Sequence, residues 1–333
     1  MKAVVATEQG SADVLRLVDL PKPAPGAGEV LVRIRATSVN PIDTKVRKAK
    51  LPMTPASFPA VLGTDFAGTV EAVGPGVTRF AAMDDVYGFA GGFKGPAGDI
   101  PGALAEFAVV DADLIAKMPG NVDYRTAAAL PLTATTAWLA LFEKVTITPA
   151  SRVLITGGAG GVGYLAVQLA HAAGAEVIAV TRSTESAEAA MSAGARACVD
   201  LAVTTAQEIV EDHTDGDGFD VIFDTVGGAA LDAAFQMVKP TGDVVTVVGA
   251  ASHNLAPLYL KGANLHMVLV LVPIMFGTAR PQQGEMLEWI ARLVERGELV
   301  PRVDPQRFGL EETADAHRKL EAGEAKGKLI IEL

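Results

Sequence analysis

The stretch Val153-Leu154-Ile155-Thr156-Gly157-Gly158-Ala159-Gly160-Gly161-Val162-Gly163-Tyr164-Leu165-Ala166-Val167-Gln168-Leu169-Ala170 decides the fold. Its opening is the short apolar run of a buried strand, and from Gly163 the apolar spacing becomes helical. Gly158, Gly160 and Gly163 spell G-x-G-x-x-G at the junction. In that setting one glycine makes the tight turn, one lets a pyrophosphate approach the backbone, and one packs helix on strand. The helix start around Gly161 and Val162 offers free N–H groups and a positive dipole end to a diphosphate. A tight turn without a ligand is the plainer reading. The strand expected at 176–181 closes a βαβ unit around the turn, however, and favours a bound dinucleotide.

Outward from this unit the alternation continues. Helices are expected at 186–193, 206–212 and 229–237, and strands at 197–200, 220–224 and 244–248, with a further strand at 266–272. Strand and helix exchanging every dozen or so residues predict a doubly wound parallel sheet. Upstream, the Ala-rich run 127–142 predicts one long helix. Residues 1–120 have a different texture: short β segments (2–6, 14–18, 29–38, 66–73, 105–110) punctuated by proline and glycine, as in a partly closed barrel. After 273 come an amphipathic helix at 284–296 and β segments at 308–310 and 328–332. The fold class expected is α/β: a Rossmann sheet, residues 124–272, inserted into a β-rich domain formed by 1–123 and 273–333.

Composition narrows the function classes. Among 333 residues, 28 Lys+Arg stand against 39 Asp+Glu, for a net charge of −11. Without basic clusters no nucleic-acid partner is expected. A single cysteine, Cys198, and five scattered histidines leave no cysteine-rich metal arrangement and no internal disulfide. The longest apolar run, 267–276, contains Pro273 and is too short to span a bilayer. The expectation is a cytoplasmic protein with no membrane partner, acting on a small-molecule substrate.

The cofactor is read at the end of the second strand, Val180-Thr181-Arg182-Ser183. An NAD site usually offers a carboxylate there for the ribose 2′-hydroxyl, whereas Arg182 with the hydroxyls of Thr181 and Ser183 suits the 2′-phosphate of NADP(H). Arg182 as a solvated loop cation is the plainer alternative. Thr225 and Gly249 fall at the carboxyl ends of later strands, where such sheets bind ligands.

A run of further landmarks covers nearly the whole chain: 23–32 (PAPGAGEVLV), Ser38-Val39-Asn40-Pro41-Ile42-Asp43, Gly63-Thr64-Asp65-Phe66-Ala67-Gly68, Ala127 to Pro131, the glycine turn, 220–228 (DVIFDTVGG) and Gly327-Lys328-Leu329-Ile330-Ile331. Together they resemble the zinc-independent quinone oxidoreductases of the medium-chain dehydrogenase/reductase superfamily. The resemblance implies a GroES-like first domain, a cleft between it and the Rossmann domain, and a homodimer through the Rossmann sheet edge near 266–272. It also implies that Thr135 lies near the nicotinamide, with Thr133 and Thr136 leaving the register open. In relatives that use catalytic zinc, a cysteine stands where this chain has Asn40 and a histidine where it has Thr64. Metal: none expected. Many relatives carry a tyrosine that lines the site where this chain has Leu51, which leaves the proton donor unassigned.

Residue chemistry then restricts the reaction. Alcohol oxidation needs the hydroxyl proton removed, by a Lewis acid or by a Tyr with Lys four residues on. The residues four after Tyr87, Tyr124, Tyr164 and Tyr259 are Gly, Ala, Gln and Ala. Conjugate reduction asks only for hydrogen-bond donors to an enolate or quinol anion. Asn40, Thr64 and Asp43 are the catalytic candidates. The structural alternatives are that Asn40 bonds its own turn and that Asp43 caps a helix beginning near Thr44. The expected activity is NADPH-dependent reduction of a quinone or an α,β-unsaturated carbonyl. An enoyl-thioester reductase and a non-catalytic NADPH-binding sensor are the alternatives.

Overall fold

The computed structural model describes residues 1–48 and 57–333. Leu51 lies outside the described residues. Chain contacts divide the molecule into two units, Met1–Thr135 with Leu271–Gly297 and Pro301–Leu333, and Thr136–Val270 with Glu298–Val300.

In the second unit Val153 to Ile155, Val177 to Ala179 and Val221 to Phe223 are all buried, because helices cover both faces of a parallel sheet. The strands run Ala197–Val199, Glu176–Val180, Arg152–Thr156, Phe219–Asp224, Val238–Thr246 and Asn264–Met267, all parallel. Renumbered along the chain, this is the 3-2-1-4-5-6 order of dinucleotide-binding sheets. Leu154, Ile178, Ile209, Phe219 and Phe235 form one core with Leu258.

The first unit is built on the strand Glu29–Val39. One edge pairs with Asp65–Val73; the other pairs with Phe107–Asp111 and then, from Ala36 on, with Leu329–Glu332. Val30, Val32, Ile34, Phe66, Val70, Val86 and Ile115 fill the core beneath this sheet. Leu329 pairs with Val39, so the end of the chain arrives beside Asn40.

Four expectations need correction. The run 127–142 is not one helix: Tyr124–Ala127 is followed by Pro131–Trp138 and a π-helical turn, Leu139–Glu143. Pro131 has no N–H to continue a helix and instead starts one. The strand expected at 266–272 ends at Met267, opposite the end of its neighbour at Thr246, and Pro273 opens the helix Val272–Phe276. The helix near Asp43 begins at Pro41, with Asn40 at its N-cap and Asp43 in its first turn. The boundary between units falls after Thr135 rather than at 123/124. Tyr124 bonds Asp85 at 2.7 Å, Arg125 bonds Glu332 at 2.7 Å, and Leu132 N–H bonds Asp65 at 2.9 Å, all within the first unit.

Among the described residues no helix is long and apolar enough to cross a membrane.

The helix carrying Asp43 is tied to Thr313–Glu321 through a fully buried Arg47. Its Nη1 donates to His317 Nδ1 at 2.9 Å and its Nε to the Gly10 carbonyl at 3.1 Å, with Glu321 on Nη2. Because Arg47 has only donors, His317 must accept as the neutral imidazole. Burial, reinforced by the guanidinium, pushes His317 down to about 3. The unfolded chain takes up a proton below about 6.5 while the folded one refuses it until about 3. Stability from this group is therefore full above pH 6.5 and lost as pH falls, by about 3 kcal/mol at pH 4. His317→Gln, which keeps an acceptor for Arg47, should flatten the fall in melting temperature between pH 7 and 4. An unchanged acid slope would show that His317 is not the group responsible.

Candidate active site

Six buried polar side chains meet where three segments of the first unit converge: Ser38 and Asn40 at the end of Glu29–Val39, Asp43 one turn into the next helix, Thr64 and Asp65 at the start of Asp65–Val73, and Lys328. Asp65 is the hub. Its Oδ2 accepts from Ser38 Oγ at 2.7 Å and from Asn40 Nδ2 at 2.9 Å, with the Lys328 ammonium 3.5 Å away, and its Oδ1 accepts from Leu132 N–H at 2.9 Å. Lys328 Nζ donates to Asn40 Oδ1 and, at 3.3 Å, to the Val39 carbonyl.

Asn40 therefore does not bond its own turn through its side chain. Its Nδ2 also lies 3.4 Å from Ser38 Oγ. Since Ser38 Oγ and Asp65 Oδ2 are only 2.7 Å apart, both contacts lie to the same side of Nδ2. Nδ2 is thus held on the side of the amide that faces the cluster. Asp43 and Thr64 join the cluster differently. Asp43 Oδ2 accepts from Asn40 N–H at 2.7 Å and Oδ1 from the Thr64 hydroxyl at 2.9 Å. Burial raises the Asp43 carboxyl to about 6 against those two bonds. While Asp43 is ionised the Thr64 hydrogen is committed to it.

The second unit holds the glycine turn. Gly157 has φ +66°, a left-handed turn that glycine adopts without strain. Gly160 is the N-cap of Gly161–Ala172, whose first amides, those of Gly161, Val162 and Gly163, have no intrahelical acceptor. A Cβ on Gly163 would stand 2.2 Å from the Gly157 carbonyl oxygen, and one on Gly158 would stand 2.7 Å from Ala179 Cβ; on Gly160 it would meet only the Gly157 oxygen, at 3.2 Å. Gly158 and Gly163 are thus required by packing, whereas Gly160 keeps open the space a diphosphate would use. A dinucleotide fits this arrangement.

The three residues expected at the 2′-phosphate separate. Ser183 caps Thr184–Ser192, accepting from Ser186 N–H at 3.2 Å, and Thr181 is buried with its hydroxyl on Cys198. Arg182 and Ser183 are both exposed, and Arg182 has no ion pair among the described residues. Thr225 is also committed, donating to the Thr156 carbonyl at 2.7 Å. Gly249 lies close to Met267, whose Cε a Cβ there would meet at 2.6 Å. Two of the three threonines of the Pro131–Trp138 helix are told apart as well. Thr133 back-bonds to the Ala129 carbonyl at 2.6 Å, while the Thr135 hydroxyl is buried without a partner. An orphaned buried hydroxyl is costly, and a carboxamide on a bound nicotinamide is the kind of group that satisfies it.

Sequence reasoning missed Ser38, Asp65, Lys328 and Asp224. Asp224, fully buried, accepts from Thr156 Oγ1 at 2.7 Å, Thr246 Oγ1 at 2.9 Å and Gly227 N–H at 2.9 Å, fastening the carboxyl ends of three neighbouring strands. Its place at the end of an apolar strand was the only signal. Lys328 sits 288 positions from Asn40, and no local pattern joins them.

This chain is similar over 99% of its length, at 37% identity, to a tomato (Solanum lycopersicum) protein, 2-methylene-furan-3-one reductase, and spans 79% of that protein. The chain belongs to the medium-chain dehydrogenase/reductase superfamily. Within it, the resemblance is to the quinone oxidoreductase-like members. At 34% identity the chain is similar to the NADPH-dependent alkenal/one oxidoreductase of Arabidopsis thaliana chloroplasts, again over 99% of this chain and 79% of the other. The solved quinone oxidoreductase of Pseudomonas syringae pv. Tomato DC3000 superposes with TM-score 0.89 at 30% identity, over 100% of this chain and 99% of that one. Family models agree: the alcohol dehydrogenase GroES-like domain matches residues 26–120 and the zinc-binding dehydrogenase residues 193–331. Among the described residues no three His, Cys, Asp or Glu side chains are grouped so as to hold a metal.

Proposed function

We propose that this superfamily member is an NADPH-dependent reductase of α,β-unsaturated carbonyls and quinones. The observation that carries the reading is Asn40: a buried amide whose oxygen is clamped by Lys328 and whose Nδ2 is anchored by Asp65, which would turn its second N–H to a substrate oxygen. A preorganised neutral donor suits an oxyanion that develops during the reaction, and one such donor contributes about 3–4 kcal/mol to the transition state. The named relatives act on an alkenal or enone, on a methylene-furanone and on quinones, and a carbonyl oxygen that gains charge is common to all three.

The amides of Gly161, Val162 and Gly163 would hold the pyrophosphate over Gly160, with Thr225 and Gly249 at the strand ends beside it, and the Thr135 hydroxyl would meet the carboxamide. When bound, the nicotinamide supplies the hydride. Asn40 holds the substrate oxygen as it becomes an enolate or quinol anion. Asp65 and Ser38 anchor the inner face of its amide. Thr64 and Asp43 fix the backbone from which it projects.

Mixing the protein with NADPH and an enone or 1,4-benzoquinone should consume absorbance of the reduced nicotinamide, whereas NADP⁺ with the matching allylic alcohol should stay inert. Tight NADPH binding without oxidation across such a panel would favour the sensor reading instead. Arg182 carries the choice of NADPH over NADH, since its guanidinium is the open cation at the second strand's end. Arg182→Ala should weaken NADPH by about ten- to a hundredfold and leave NADH unchanged, about 1.4–3 kcal/mol. Equal loss for both cofactors in calorimetry would make Arg182 a solvated surface residue.

Two chains would pair along the Asn264–Met267 edge. No strand among the described residues covers it, and Leu265, Met267 and Leu269 are exposed there. A single-chain mass in sedimentation at micromolar concentration would contradict this.

A further inference from the structure

We infer that Lys328 is a positioning residue for the reduction, acting through Asn40. The inference rests on the reading of Asn40 as the oxyanion donor and goes beyond it by naming what makes Asn40 a donor at all. An asparagine amide is nearly symmetric in shape, and nothing in its covalent structure decides which end faces the substrate. Here the decision is made by charge. The Lys328 ammonium lies against Oδ1, and the Asp65 carboxylate lies 2.9 Å from Nδ2. A flipped amide would set NH₂ against NH₃⁺ and oxygen against carboxylate, so cation and anion select the same orientation.

Lys328 has no direct part in the chemistry. Its three donors meet Asn40 Oδ1, the Val39 carbonyl at 3.3 Å and the Asp65 carboxylate at 3.5 Å, which leaves none for a substrate. Its backbone is equally fixed: the N–H donates to the Arg302 carbonyl at 2.8 Å and the carbonyl accepts from Asp304 N–H at 2.9 Å. Gly327 beside it has φ +154° and no room for a Cβ, which would stand 2.5 Å from the Arg302 oxygen. The ammonium is therefore delivered to Asn40 from a rigid turn. A cation on Oδ1 also draws electron density from the amide and makes the free Nδ2 hydrogen a stronger donor.

The test is a double-mutant cycle on kcat with an enone and NADPH, in Lys328→Met, Asn40→Ala and the combined variant. Lys328→Met should lose about thirtyfold in kcat while NADPH affinity, measured by fluorescence titration, stays within about twofold. Because Lys328 acts through Asn40, adding Lys328→Met to Asn40→Ala should cost nothing more. Lys328→Arg, which keeps a charged donor, should recover part of the loss. If Lys328→Met alone does not fold, Lys328→Met with Asp65→Asn removes both charges, and the same non-additivity with Asn40→Ala is expected. Losses that multiply in the combined variant, or wild-type kcat in Lys328→Met, overturn the proposal. Wild-type kcat in Asn40→Ala overturns the underlying reading of Asn40 and the proposal with it, so the two failures are distinguishable.

Discussion

Replacing Asn40 by alanine is expected to lower kcat for enone reduction by about two to three orders of magnitude, with NADPH affinity unchanged. The side chain is fully engaged on its inner side, by Asp65 at 2.9 Å, by Ser38 at 3.4 Å and by Lys328. Those contacts position it, and on the proposed reading its remaining hydrogen meets the substrate. An alanine removes that hydrogen without disturbing the glycine turn, which belongs to the other unit. The split is what makes the experiment informative. A fall in kcat with constant cofactor affinity assigns Asn40 to the reaction, whereas a fall in both together with a lower melting temperature assigns it to the buried cluster's stability. The effect should be smaller for quinones, whose reduced form is a more stable anion than an enolate.

The second large effect is expected at Gly163. A single methyl there would lie 2.2 Å from the Gly157 carbonyl oxygen and 2.8 Å from its carbon, both backbone atoms of the same turn. Relief requires moving either the strand end or the helix start, at a cost of about 3 kcal/mol, the upper range for overpacking. The same displacement spoils the amides that face the diphosphate, so Gly163→Ala should lose about a hundredfold in NADPH affinity as well as melting lower. Gly160→Ala is the control. Its φ is −75° and its Cβ would meet only one oxygen at 3.2 Å. It should melt like the wild type and still bind NADPH poorly, because its methyl would occupy the diphosphate's space. Wild-type NADPH affinity in both variants would remove the turn from the cofactor site.

How much of this was legible in the sequence follows the range of the interactions. The doubly wound parallel sheet of the second unit follows from the glycine turn and from the alternation after it, both local signals. Pro131 was visible inside the Ala-rich run, yet apolar periodicity hid that it begins a helix rather than sitting within one. The strand expected through Val272 stops at Met267 because its neighbour stops at Thr246, a condition set by pairing rather than by propensity. Ser183 and Thr181 carry the hydroxyls a phosphate would use, but capping Thr184–Ser192 and bonding Cys198 take them first. At the candidate active site, Asn40, Asp43 and Thr64 are candidates from the sequence because they sit in short landmarks, and the structure brings them together. Asp65 and Lys328, which decide how Asn40 points, were not. Asp65 is adjacent to Thr64 but looks like a strand residue, and Lys328 reaches Asn40 only through the long-range pairing of Leu329 with Val39.

Conjugate hydride transfer is distinguished from carbonyl reduction by where the hydride ends up. The protein is incubated with NADPH carrying deuterium at nicotinamide C4, each face labelled in turn, and with an acyclic enone, and the product is examined by NMR. A saturated ketone with one deuterium at the β-carbon is expected from one of the two labelled cofactors. Deuterium at the former carbonyl carbon of an allylic alcohol, or no transfer from either cofactor, would contradict it.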